Sequence, residues 1–274
     1  MWKKFQNILP YLGLIAGLLV IAWFPVTNYI DSQKMRRILD AVEEETVMID
    51  TSQKDWLLEN ARAYNARLAD EPSSIADDQI LPYEDQLMTE PGKTTPFGSV
   101  IIPKINVYMP LYHGADELIL AAGAGHLEET SLPVGGSSVH TCISAHSGMR
   151  NLAAFDNLDR LKKGDVFGFR ILGDLYCYKV DDIQVVEPDQ LEKLEIVPGE
   201  DKATLITCTP YGVNTHRLLV TGYRCPVPEN FENERPDLEV MVQDRRNWPL
   251  LAGIAILAVL GVLLAYRYRK KKGV

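Results

Sequence analysis

Residues 203–225 read ATLITCTPYGVNTHRLLVTGYRC, and two strands and their turn can be read off directly. The apolar run 203–207 stops where the sulfur of Cys208 appears, and Thr209-Pro210 follows, so the cysteine sits at a strand's mouth. The next strand begins at Arg217, and the eight residues TPYGVNTH between them suit a hairpin whose strands lie about 4.8 Å apart. Cys208 and Arg217 are therefore expected at the same open end. A guanidinium beside a thiol has two uses: it lowers the cost of the sulfur anion, and its N–H fork can hold the oxyanion of a tetrahedral intermediate.

Thiol chemistry also needs a group to protonate a leaving amine. Of the five histidines, His146 ends an apolar run, SVHTCISA at 138–145, and precedes Ser147 and Gly148, so it too is expected at a strand mouth. His113, His126, His140 and His216 read as turn or surface residues, and strand alternation turns His216 away from the side of Arg217. Cys142, Cys177 and Cys225 lie inside strand patterns and read as small buried hydrophobes. Four cysteines could make two bridges in an oxidising exterior, yet their spacing contains no CxxC pair and no metal-ligand pattern. No metal or other cofactor is expected.

Working outward, the strand signals GSVIIPKI, NVYMPLYHG, SVHTCISAH, DVFGFRIL and LYCYKVDDIQVV precede the hairpin, separated by Gly, Pro and Asp clusters. Seven or eight short strands imply a closed or nearly closed barrel. One helix is expected at 151–163, with Leu152, Phe155, Leu158 and Leu161 inward and Gly164 as its stop, and a short turn at 189–194. Residues 32–70 are helical in pattern, with Met35, Ile38, Leu39 and Val42 on one stripe and Leu57, Ala61, Tyr64 and Leu68 on another. The pattern breaks near 50–52, where Ser52 and Asp55 resemble a capping box. Residues 70–96 carry Pro72, Pro82, Pro91 and Pro96 and little periodicity, as lids and linkers do.

Both ends are apolar. Residues 8–24 carry no charge, and residues 248–266, WPLLAGIAILAVLGVLLAY, lead into Arg267, Arg269, Lys270, Lys271 and Lys272. The positive-inside rule puts the C-terminus in the cytoplasm, and Lys3 and Lys4 agree for the N-terminus; the five C-terminal cations outweigh Lys34, Arg36 and Arg37. Trp23 and Phe24 stand where a cleaved signal peptide would need small residues, so an uncleaved anchor is expected. Residues 31–247 hold all 37 acidic residues and 21 of the 28 basic ones, a net charge of −16, which disfavours nucleic acid and anionic membrane surfaces as partners.

These residues carry a family resemblance. Residues 204–208, TLITC, are similar to the TLxTC signature of sortases, and TPYGVNTHRLLVTGYR resembles the class C, pilin-polymerising branch around its catalytic arginine. Residues 125–127 (GHL), 130–136 (TSLPVGG) and 146–148 (HSG) resemble the class C approach to the catalytic histidine, and 102–114 (IPKINVYMPLYHG) resembles the first barrel strands. The likeness covers roughly residues 55–225, together with the C-terminal anchor that class C enzymes carry.

The resemblance implies a mainly β fold: an eight-stranded sortase-type barrel with a few short helices, an N-terminal helical and lid segment, and a transmembrane helix at each end. The organisation is then a cytoplasmic N-terminus (1–7), a transmembrane signal-anchor helix (8–24), an extracytoplasmic helical segment (31–69), a lid-like irregular segment (70–96), the catalytic barrel (97–226), a linker (227–247), a transmembrane helix (248–266) and a basic cytoplasmic tail (267–274). It implies a cysteine transpeptidase with Cys208 as nucleophile, His146 as acid and base and Arg217 as oxyanion partner. Thr207 and Thr204 are expected to shape the substrate site. The implied substrate is an LPxTG-like sorting signal on a pilin or surface protein, cleaved between Thr and Gly and joined to an amine, a pilin lysine or alternatively cell-wall peptide. A barrel that has lost catalysis and serves as an assembly module is the third reading. One departure stands out: class C lids carry an Asp-Pro-aromatic triplet over the cysteine, and residues 68–96 have none. Asp70-Glu71-Pro72 is followed by Ser73, and Pro82-Tyr83 is preceded by Leu81. A shortened or loosely docked lid is expected.

Overall fold

The computed structural model describes residues 2–147, 154–210 and 212–231, together with positions 253, 256, 260 and 261. Eight strands alternate inward apolar and outward side chains: β1 Gly98–Ile102, β2 Val107–His113, β3 Ala124–His126, β4 Val139–Ser144, β5 Val166–Ile171, β6 Asp174–Val186, β7 Asp201–Thr209 and β8 His216–Cys225. They close in the order β1-β2-β3-β4-β7-β8-β6-β5. β3, the strand absent from the sequence signals, has only three residues, too few to show a period of two. The interior is filled by Val100, Ile102, Met109, Leu111, Ile143, Phe167, Phe169, Tyr178, Leu205 and Val220, all essentially inaccessible. Phe167 and Tyr178 stack at 5.8 Å across the β5–β6 pair.

Two helices lie before the barrel. α1, Trp2–Met48, buries Met35 and Leu39, and Tyr108 on β2 donates to Glu43 at 2.7 Å. α2, Thr51–Leu68, buries Leu57, Leu58, Ala61 and Tyr64. The break falls where expected, but the cap is Asp50, whose carboxylate accepts from Ser52 N, and not a Ser52–Asp55 box. The buried Asn65 side chain donates to Leu132 O (3.0 Å) and accepts from Leu132 N (2.7 Å), fixing α2 to the loop before β4. α3, Glu117–Ala122, capped by Asp116, crosses from β2 to the parallel β3.

The helix expected at 151–163 does not form in its described part. Residues 158–160 make one 3₁₀ turn, and Phe155 N is drawn to His146 O at 3.0 Å, which ties Phe155 to the chain leaving β4. Phe155, Leu158 and Leu161 are buried as the pattern requires, and Gly164, φ +97°, gives its N–H to Val180 O on β6. Leu152 and Gly148 lie outside the described residues.

Among the described residues no helix is long and apolar enough to cross a membrane. The expected span 8–24 falls within α1, mostly at positions whose side chains are outside the description, and the expected span 248–266 lies outside it apart from four helical positions.

Candidate active site

The parallel β4–β7 ladder keeps a constant offset, from Val139↔Asp201 to Ser144↔Ile206, and beyond it the two chains stay joined. Ala145 N donates to Ile206 O at 3.1 Å, and Ser147 Oγ donates to Cys208 O at 2.8 Å. Carried two residues past Ser144, the register sets His146 beside Cys208. On the other flank the antiparallel β7–β8 ladder pairs Cys208 with Arg217 directly. His146, two residues past the end of β4, thus lies level with Cys208 and Arg217 in one row, and the directly paired Cys208 and Arg217 point to the same face. That face is the outside of the barrel, since the alternate residues Leu205, Leu218 and Val220 fill the core. All three members of the row are half-buried.

The same outward face carries a small apolar cluster next to the row. Cys142, Ile206, Leu219 and Val186 come from the four strands β4, β7, β8 and β6, with Leu127 and Leu194 packed against them. Leu194 closes the single 3₁₀ turn Leu191–Leu194, the turn expected at 189–194. An apolar floor therefore lies along the strands from the thiol and stops at a row of one sulfur, one imidazole and one guanidinium. The Arg217 guanidinium bonds Asn214 O at 3.3 Å and His216 O at 3.2 Å, which holds it at the turn of the hairpin.

Thr207 and Thr204 are placed away from the row. Thr207 alternates with Cys208, is 4% exposed and donates to Ala145 O at 2.8 Å; Thr204 is fully buried, its hydroxyl engaged with His140 Nε2 (2.7 Å) and Thr221 Oγ1 (2.8 Å). In this structure the Thr207 hydroxyl ties β7 to the chain after β4, and the Thr204 hydroxyl, on the outward face beside Cys142, ties β7 to β4 and β8.

Of the histidines read as turn or surface residues, only His216 is exposed; it bonds Thr215 Oγ1 and faces away from Arg217. His126 and His140 are buried and His113 nearly so, because each finds partners that pay for its desolvation. His126 takes Tyr83 OH at Nδ1 (2.9 Å) and meets Ser131 O at Nε2 (2.9 Å); His113 stacks on Phe97 at 4.3 Å and bonds Gln86 O. Burial pushes His126 down to about 3 and His113 to about 4, and lowers His140 as well. Burial likewise pushes the Cys142 and Cys177 thiols up to about 12 and raises Cys225, so these three sulfurs stay protonated at neutral pH. Among the described residues no group of three or more His, Cys, Asp or Glu side chains is arranged to hold a metal ion.

Residues 70–97 dock against α2, β3 and the loops after β2 and before β4. Glu71 accepts from Ser138 Oγ at 2.5 Å, Asn60 accepts from Leu81 N at 2.8 Å and from Gln86, and Tyr83 OH receives Gly114 N at 3.0 Å. Ser138 precedes the start of β4, level with Asp201, and Cys208 is seven residues further along β7, roughly 23 Å away at a strand's rise per residue. Among the described residues none of this segment's hydrogen bonds reaches 207–217. The lid-like stretch is a strap docked by Asn60, Tyr83 and His126, with Glu71 held at the Ser138 end of β4 and Tyr83 held beside β3, where His126 pairs with Ile143.

The family model described as a sortase domain matches residues 100–225. Among solved structures, sortase C1 from Streptococcus agalactiae is 40% identical with a TM-score of 0.64, covering 70% of this chain and 100% of its own. Sortase C of Streptococcus pneumoniae is 41% identical with a TM-score of 0.62, covering 70% of this chain and 97% of its own. A curated relative, sortase A of Streptococcus agalactiae serotype III, is 24% identical over 78% of this chain and 81% of its own length. The chain belongs to the sortase family of cysteine transpeptidases. Within that family its structural neighbours are class C enzymes.

Ser147 is the site residue that sequence reasoning passed over. Its signal was its place next to His146, but its use depends on the β4–β7 pairing, which no local pattern reveals.

Proposed function

We propose that Cys208 is the nucleophile, His146 the acid and base and Arg217 the oxyanion partner of a class C transpeptidase acting on LPxTG-like sorting signals. The observation that carries this is the row: three strands bring the three side-chain types together beside an apolar floor. In the reading, the Cys208 sulfur attacks the carbonyl carbon of the substrate threonine, and the charge on the oxygen is held by the Arg217 fork. The Thr–Gly bond then breaks, the glycine amine leaves with a proton from His146, and a thioester remains on Cys208. An acceptor amine loses a proton to His146, attacks the thioester and frees the thiol. A docked acceptor has an effective concentration that favours aminolysis over hydrolysis.

A pilin lysine is the acceptor this reading favours. It is supported by the class C neighbours, one described for its pilin substrate specificity and one from a pilus island. The apolar ends support an enzyme held in the membrane by both termini, with the barrel extracytoplasmic. Thr204 and Thr207 then act by fixing the strands under the row.

The test is turnover of an LPxTG peptide by the wild type and Cys208→Ala, with mass spectrometry of the acylated enzyme. Wild type accumulates a thioester on Cys208, and the variant neither acylates nor releases the glycine fragment. Continued turnover by the variant refutes the assignment. Identifying the amine joined to threonine separates a polymerising enzyme from one that attaches proteins to cell-wall peptide.

A further inference from the structure

We propose that Cys177 and Cys225 form a cross-strand disulfide site at the end of the barrel opposite the catalytic row. The two residues are direct partners in the antiparallel β6–β8 ladder. Direct partners have Cα atoms about 4.5 to 5.5 Å apart and side chains on one face. A disulfide needs roughly 4.4 to 6.8 Å between Cα atoms, so the ladder already supplies the geometry. Both residues are thiols in this structure; Cys177 is buried in the core, and Cys225 packs against the same core with part of its surface open.

The surroundings are shaped for two sulfurs. Gly168, the β5 partner of Cys177, has no side chain where a Cβ would stand 3.2 Å from the Cys177 sulfur and 3.1 Å from the Phe231 ring. Phe231, 3% exposed, occupies that space, held by a turn in which its N–H reaches Pro228 O. The chain leaving β8 therefore folds back and shields Cys177 from solvent. The other two cysteines have no such partner: Cys142 faces outward on β4 opposite Thr204, and Cys208 is paired with Arg217, eight residues back along β8 from Cys225.

The inference rests on the extracytoplasmic placement, because that compartment supplies the oxidant, a small-molecule or enzyme-borne disulfide. Before the chain after Cys225 seats, the Cys225 thiol gives its proton to water and attacks as thiolate, one thiol leaves the oxidant, and a mixed disulfide stands on Cys225. Cys177 then displaces the second thiol, so two cysteines lose two electrons and two protons and one oxidant disulfide becomes two thiols. Because Phe231 covers Cys177, the bond forms while the chain after Cys225 is still unseated. The closed covalent loop contains β7 and the hairpin with Cys208 and Arg217, and it restrains both without touching the reactive sulfur.

The full-length protein is purified from membranes in detergent without reductant, denatured, and its thiols are capped with N-ethylmaleimide. The bond predicts two maleimides, on Cys142 and Cys208, with the peptides of Cys177 and Cys225 linked; Cys225→Ser carries three. Four maleimides on wild type whose barrel is protease-accessible on intact cells overturn the bond and leave the placement standing. A protease-protected barrel overturns the placement instead, and a second arm then decides the bond alone. Reduced Cys208→Ala protein, refolded with oxidised glutathione, is expected to gain the Cys177–Cys225 link; glutathione adducts without that link refute it.

Discussion

Acidification tests the strap that holds residues 80–88 to the barrel. His113 and His126 are neutral in the folded protein, burial being the main cause, with the bonds to Gln86 O and Ser131 O only partly opposing it. Their folded values near 4 and 3 lie below the ordinary 6.5. A depressed histidine costs nothing above 6.5, since neither state binds the proton; below it the unfolded chain binds protons that the folded chain refuses. Stability is therefore fully present above pH 6.5 and falls with pH until the folded values are reached. Taken from pH 7 to pH 5, each histidine removes about 2 kcal/mol, and the pair about 4 kcal/mol. Urea unfolding of the protein in detergent micelles at the two pH values measures the loss. In His113→Gln, which keeps a donor for Gln86 O, the difference between pH 7 and pH 5 should shrink by about 2 kcal/mol. An unchanged pH dependence in this variant refutes the reasoning, as does a loss that begins only below pH 4.

Other outcomes follow from the site and its supports. Ser147→Ala removes one hydrogen bond worth about 1 kcal/mol, so the acylation rate should fall roughly fivefold with KM for the peptide unchanged, and Ser147→Thr should retain the rate. Arg217→Lys keeps the charge but loses the fork, and kcat should drop by about a hundredfold; near-normal kcat would remove the guanidinium from the mechanism. Asn65→Ala leaves Leu132 N and O without their buried partner and should cost about 2 to 3 kcal/mol in urea unfolding at pH 7. Tyr83→Phe removes the hydroxyl's bonds to His126 and Gly114, and labelling of Cys208 by a thiol reagent should stay within about twofold of wild type, since among the described residues none of the strap's hydrogen bonds reaches 207–217; a sharp acceleration would mean the strap covers the thiol.

The hairpin was legible because its pattern is local: an apolar alternation, a turn and a second alternation put Cys208 opposite Arg217 without knowledge of the rest of the chain. The inward residues of the other long strands were equally readable. His146 needed the parallel β4–β7 pairing, a contact between distant segments, and its strand-end position hinted at the place without giving the partner. The three buried histidines escaped because polarity was read as exposure, while Tyr83, Phe97, Thr204 and Glu195 supplied the partners that make burial tolerable. The described part of the segment expected as a helix at 151–163 departs for a related reason: Phe155, Leu158 and Leu161 are buried as the stripe requires, but Phe155 N bonds His146 O and not a helical partner.

The row has a consequence for how this enzyme tolerates change. Its three side chains are fixed by strand registry, so the loops that join the strands set substrate contacts without setting the reactive geometry. Insertions in the β6–β7 connection, which carries Leu194, can remodel the floor's cover while the sulfur, imidazole and guanidinium stay aligned. A single-residue slip of β7 is another matter: with a side-chain period of two, it would turn Thr207 outward and bury the Cys208 sulfur in the core. The row is thus open to exchange of loops and closed to any odd-numbered change within the strands that carry it, which makes loop grafting the natural route to new specificity.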